Sequence, residues 1–113
     1  MSLSIEAEQN GNKRILRLKG QLDTQTTSSL AKEIDKLFEG HHKKVIVDFS
    51  KIEDLSEDCM QTLLSQTKKF KKEKGVLALV NISNLLMEKI RNAGFDQALM
   101  IYNNEQTALK AMA

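Results

Sequence analysis

Cys59 is the single cysteine among the 113 residues, and it stands near the start of a segment with helical periodicity, where the helix dipole lowers a thiol pKa and favours the nucleophilic thiolate. Its neighbours oppose that chemistry. Glu57 and Asp58 are adjacent acids that disfavour a thiolate, and no histidine lies close in sequence to accept the proton. A packed, structural thiol is therefore expected, and a thiol pKa at or above that of free cysteine would remove the nucleophile reading. The two histidines, His41 and His42, lie between Gly40 and Lys43 without the carboxylate or thiol spacing that a metal site needs, and they read as solvated turn residues. Asp23 and Asp48 each belong to a strand end or strand, and acid–base catalysis would need both at one sheet edge. Asp48 lies inside an apolar run and is expected to pair with backbone or a lysine, whereas Asp23 is expected to cap a helix. The glycines, at 11, 20, 40, 75 and 94, are scattered at element ends and form no phosphate-cradling loop. These residues predict a protein that is not an enzyme and holds no metal or cofactor.

One charged cluster remains. Lys68, Lys69, Phe70, Lys71, Lys72, Glu73 and Lys74 form a basic run at the end of a predicted helix, where cations complement the negative dipole end. It reads as a solvated helix end. Binding of nucleic acid or anionic lipid would need further basic faces or interleaved aromatics, and only Phe70 is interleaved here.

The elements that position these residues are legible as periodicity. Ile5 and Ala7 alternate with polar residues, Asn10-Gly11 is a strong hairpin-turn signal, and Ile15, Leu16 and Leu18 follow, so a hairpin opens the chain. Leu30, Ile34, Leu37 and Phe38 recur at spacings of three and four, which predicts a helix over residues 26–38 stopped by Gly40. Val45, Ile46, Val47, Asp48 and Phe49 form a short β-branched run typical of a central strand buried on both faces. Met60, Leu63, Leu64, Thr67 and Phe70 give a second helix over residues 57–74, ended by Gly75. Val76 to Val80 repeats the buried-strand pattern. Ser83 caps a third helix that turns Leu86, Met87 and Ile90 to the core. A short strand over residues 99–102 and a last helix capped by Asn103 or Asn104 close the order ββαβαβαβα. Strands alternating with helices imply a largely parallel sheet, with the hairpin adding mixed character at one edge.

Composition bounds the rest. A hydrophobic content of 41% suffices for one core without disulfide or metal staples. The 17 basic and 15 acidic residues leave a net charge of +2, so no strong overall field draws the chain to nucleic acid or a membrane. The first residues lack a signal-peptide pattern, and the longest apolar runs reach only about six residues, too short to span a bilayer. One cysteine and no export signal are what a cytoplasmic protein presents.

Gly20-Gln21-Leu22-Asp23 after the second strand resembles the Gly-x-Leu/Ile-Asp of the STAS family of anti-sigma factor antagonists. Val47-Asp48-Phe49-Ser50-Lys51-Ile52 resembles that family's central-strand Asp-Leu-Ser-x-Val, and Asn92-Ala93-Gly94-Phe95 with Ile101-Tyr102 resembles its closing Gly-Leu/Phe and strand. The likeness covers nearly the whole chain. It implies an α/β, STAS-like single domain over residues 1–113, with a mixed, mostly parallel central sheet, an N-terminal hairpin and about four helices. In the family an Asp-Ser-Ser-Gly-Leu motif opens the second helix, and a partner kinase that is also the anti-sigma factor phosphorylates the second serine. That motif falls here on Ser56-Glu57-Asp58-Cys59-Met60. Only the apolar fifth position is kept, Asp58 stands at the phosphoacceptor-equivalent position, and serine phosphorylation at the usual site is not expected. Ser56 as N-cap followed by Glu57 and Asp58 is a favourable helix start in its own right. Asp58 has one charge and a planar carboxylate where phosphoserine has about −1.5 to −2 charges and three acceptor oxygens. Either the domain is fixed in a state like the phosphorylated form, or its interface suits a partner that never phosphorylates it.

The resemblance implies a regulator that docks an anti-sigma factor or serine kinase-like ATPase through Gln21, Asp23, Thr24, Ser56, Glu57, Asp58, Cys59 and Met60, with no nucleic acid and no membrane insertion. The alternatives are a STAS subunit of a larger assembly, such as a stress-signalling complex or a lipid-transport ATPase, or a small-molecule or lipid-binding module with a large apolar pocket near the same helix start.

Overall fold

In the computed structural model, which describes residues 2–113, two strands open the chain: β1 (Leu3–Asn10) and β2 (Lys13–Leu22) pair antiparallel across a two-residue turn, with Asn10 opposite Lys13. There follow α1 (Thr24–Glu39), β3 (Lys44–Leu55), α2 (Glu57–Lys72), β4 (Val76–Val80), α3 (Asn84–Asn92), β5 (Met100–Tyr102) and α4 (Glu105–Ala111). The sheet order is β1-β2-β3-β4-β5, and every pairing after the hairpin is parallel. β3 is thus central, as its apolar run predicts.

The strand alternation sorts side chains into two layers. Leu16, Leu18, Val47, Phe49, Leu77 and Leu79 face one way and pack with Leu30 and Ile34 of α1, Leu63 and Phe70 of α2, and Leu86 and Ile90 of α3. Each such buried aliphatic or aromatic side chain stabilises by about 1.5–3 kcal/mol. Ile15, Ile46, Ala78 and Val80 face the other way against Ala108 and Met112 of α4. Because α4 covers only part of that face, the polar residues of β1, β2 and the far half of β3 stay open to solvent there.

β3 is longer than its apolar core suggests. It continues from Ser50 to Leu55 because register shifts near Arg17/Lys19 and Gly20/Gln21 let it stay paired with β2, ending with Leu22 opposite Leu55. β3 carries one extra residue at each shift, so Phe49, Ile52 and Leu55, three apart instead of two, are all buried while the strand residues between them are exposed. The end of α2 also differs from expectation. The helix stops at Lys72, and Lys74, not Gly75, takes the left-handed backbone, with φ +61°. Gly75 is required for another reason: a Cβ there would lie 2.5 Å from the Lys43 carbonyl oxygen.

Candidate functional site

The paired ends of β2 and β3 set two helix starts side by side. Ser56 N–H donates to the Leu22 carbonyl at 2.8 Å, so the N-caps that follow Leu22 and Leu55 are neighbours. Asp23 caps α1: its carboxylate accepts from Gln25 N–H (3.0 Å) and Thr26 N–H (2.9 Å), while Asp23 N–H donates to the Thr26 hydroxyl at 2.9 Å. This reciprocal arrangement satisfies backbone donors that the first helical turn leaves unpaired. The Thr26 backbone N–H is the main reason that the Asp23 carboxyl is held below the usual carboxylate range. Ser56 caps α2 by accepting from Cys59 N–H at 3.2 Å.

A side-chain hydrogen bond also ties the two starts together. The Thr24 hydroxyl donates to Asp58 Oδ2 at 3.1 Å, and Thr24, Glu57 and Asp58 are all exposed. Gln21 is half-buried, and its carbonyl accepts from the Thr26 hydroxyl at 2.7 Å. Of the residues expected at a partner surface, Gln21, Asp23, Thr24, Ser56, Glu57 and Asp58 therefore form one rim. Cys59 and Met60 belong beneath it. They are 0% and 1% exposed, because positions 59, 60, 63, 67 and 70 form the inward stripe of α2, and they shape the rim from below instead of lining it. Burial pushes the Cys59 thiol up to about 11, against a smaller opposing effect from the Thr27 hydroxyl.

The rim has a wall that sequence reasoning missed. Lys89 of α3 donates to Asp54 at 2.6 Å, a bond that, with the Leu55 N–H, lowers the Asp54 carboxyl. A solvent-open hollow of about 430 Å³ lies between α2 and α3, lined by Leu55, Ser56, Glu57, Met60, Lys89, Asn92 and Ala93. No local pattern marks Asp54 and Lys89, which are 35 residues apart.

The other candidates lie elsewhere. Asp48 is buried in β3 and pairs with Arg17, not a lysine: Arg17 Nη1 donates to Oδ2 at 3.0 Å, and Asn81 Nδ2 and Ser50 N–H each donate to Oδ1 at 3.0 Å. Burial alone would raise this carboxyl, but the donors from Asn81, Ser50 and Arg17 outweigh it and hold it low. Asp48 sits opposite Arg17 in register, about 15 Å along β2 from Leu22, so Asp23 and Asp48 do not share a site. His41 and His42 follow α1 at the opposite end of the molecule, His41 exposed with φ +67°. Among the described residues no group of three or more His, Cys, Asp or Glu is placed to hold a metal, and no helix is long and apolar enough to cross a membrane.

Comparison with known proteins agrees with this architecture. The family model described as STAS domain matches residues 4–108. The anti-sigma F factor antagonist of Paenibacillus polymyxa is 22% identical over 110 residues, 96% of this chain and 94% of that protein. Among solved structures, an anti-sigma factor antagonist from Mycobacterium paratuberculosis superposes with a TM-score of 0.87 at 22% identity, covering 98% of this chain and 94% of that one. The Bacillus cell fate determinant SpoIIAA in its phosphorylated form gives a TM-score of 0.71 at 18% identity, covering 97% and 100%.

Proposed function

The chain belongs to the STAS domain family, and from that premise we propose that residues 1–113 form a single, non-enzymatic, protein-binding domain of the anti-sigma factor antagonist kind. Its partner is a serine kinase-like ATPase or anti-sigma factor, and the docking surface is the rim of Gln21, Asp23, Thr24, Ser56, Glu57 and Asp58. The observation that carries this reading is the Thr24–Asp58 hydrogen bond. It joins two capped helix starts into one exposed acidic surface, and a surface held in shape before contact loses less entropy on docking. Asp58 brings a permanent negative charge to the position where the family's acceptor serine stands, so the rim is tuned without phosphorylation. A chemical role fits poorly, since the thiol pushed up to about 11 is protonated at neutral pH. The hollow beside the rim is open and bordered by Glu57, Lys89 and Asn92, unlike the enclosed apolar cavity of a small-molecule module.

The test is capture from a lysate of the source cells on immobilised wild-type, Asp58→Ser and Thr24→Lys domains, with bound proteins identified by mass spectrometry. Retention of an ATPase-type kinase or anti-sigma factor, stronger on Asp58→Ser and lost on Thr24→Lys, is expected. Recovery of transporter subunits or a co-purifying lipid instead, or capture that ignores both substitutions, would remove the anti-sigma reading of the rim.

A further inference from the structure

The basic run at the end of α2 is not an isolated helix end. The fold brings the ends of α1, α2 and α4 together with the starts of β2, β3 and β4. Val76 N–H donates to the Lys43 carbonyl at 2.8 Å, Lys43 Nζ lies 3.8 Å from the centroid of the Phe38 ring, and Lys44 Nζ donates to the Met112 carbonyl at 3.0 Å. On α2, Lys68, Lys71 and Lys72 are exposed and spaced as one helical stripe. Lys74 is exposed beyond them, and Lys13 and Arg14 open β2, with Arg14 beside Val45 in register. Among the described residues none of these six is in an ion pair. The nearby acids Asp35 and Glu73 are already held by Lys69 and Lys43, which leaves the exposed Glu39.

We propose that this pole adsorbs to the headgroups of an anionic phospholipid bilayer. Its cations are mostly lysines, point charges on flexible stems that suit a diffuse layer of phosphates. They are spread over helix ends and strand starts instead of along a protruding element that could enter a nucleic-acid groove. Nor is there a platform for stacking bases: Phe70 is 0% exposed, and the Phe38 ring carries Lys43 at 3.8 Å and Lys69 at 4.5 Å. Among the described residues the large hydrophobic side chain most exposed to solvent is Leu85, on α3, so adsorption is electrostatic and nothing inserts. α2 runs 16 residues, about 24 Å, between the acidic rim and this pole. A protein partner at the rim and a bilayer at the pole can be engaged at once.

The whole chain is sedimented with phosphatidylcholine vesicles, with or without about one-third phosphatidylglycerol, at about 0.1 M and about 0.5 M salt. Binding is expected only to the anionic vesicles and only at low salt. Lys68→Gln/Lys71→Gln/Lys72→Gln should lower the partition coefficient about a hundredfold, at about fivefold per lysine near the surface. Lys13→Gln/Arg14→Gln, on a different element, should lower it independently. Lys19→Gln/Lys51→Gln, which removes exposed lysines from the open sheet face, should retain most of the binding, because charges beyond a Debye length contribute little. Far-UV circular dichroism checks that each variant is folded. Absence of binding to anionic vesicles overturns the proposal, as does equal loss in the sheet-face variant. Tighter binding of a short DNA duplex that displaces the protein from vesicles reassigns the pole to nucleic acid and also overturns it.

Discussion

Cys59 shows how position and environment can oppose each other within one residue. Three residues past the Ser56 N-cap it lies where a helix dipole would acidify a thiol, yet complete burial wins and lifts it to about 11. At pH 8 the native protein should leave a disulfide reagent unreacted over the time in which one thiol is titrated after unfolding in guanidinium. Rapid labelling of the folded chain would mean that the start of α2 opens, and would undo both the structural role of Cys59 and the rigid rim built above it. Cys59→Ala removes only the sulfur from the core and should cost about 1 kcal/mol in urea unfolding. The inertness was expected from the adjacent acids Glu57 and Asp58, but its cause is burial, which follows from the helical period that places 59, 60 and 63 on one stripe.

At the scale of elements, the caps and stops carry most of the local specification. Ser56→Ala should cost about 1 kcal/mol, because Cys59 N–H then loses its acceptor at the first turn of α2. The turn after α2 gives a sharper test, since adjacent substitutions should have opposite signs. Lys74→Gly relieves a left-handed residue, φ +61°, and should stabilise by about 1 kcal/mol. Gly75→Ala forces a Cβ against the Lys43 carbonyl and should destabilise by about 1–3 kcal/mol. Equal effects at both positions in urea unfolding would contradict the assignment. The sequence told that a glycine was needed here but not which constraint it served, because close approach to Lys43, 32 positions upstream, leaves no local pattern. The element order, central β3 and the N-caps Asp23, Ser56 and Ser83 were all legible, since periodicity and capping are local. The extension of β3 to Leu55 was not, because it depends on pairing with β2. The Asp54–Lys89 wall and the Thr24–Asp58 bond were hidden for the same reason: each joins residues more than 30 positions apart.

At the scale of the molecule, Arg17 fastens three regions that are distant in sequence. Its guanidinium reaches Glu8 on β1 at 2.6 Å, Asp48 on β3 at 3.0 Å and Glu105 on α4 at 2.9 Å, linking the hairpin edge, the sheet centre and the last helix. The side chain of Asp48 is 8% exposed and that of Arg17 32%, so the inner arm of this network is shielded from solvent more than the outer one. Arg17→Met keeps the stem but leaves three carboxylates facing each other, and should destabilise by about 2 kcal/mol at neutral pH. The pH dependence distinguishes this from lost packing. Glu8, through its hydrogen bond to Arg17, and Asp48, through donors that include Arg17, both have carboxyls lowered in the folded state. A lowered carboxyl contributes stability that is present above its unfolded pKa, about 4, and that is lost as pH falls through the folded value. The gap between wild type and Arg17→Met should therefore be widest near pH 7 and narrow steadily below about pH 4, as protonation removes from the wild type what the substitution has already removed from the variant. Urea unfolding at a series of pH values measures it. A gap that stays constant from neutral to acid pH would mean that Arg17 acts by packing its stem, and that the three regions are held together by their apolar contacts alone.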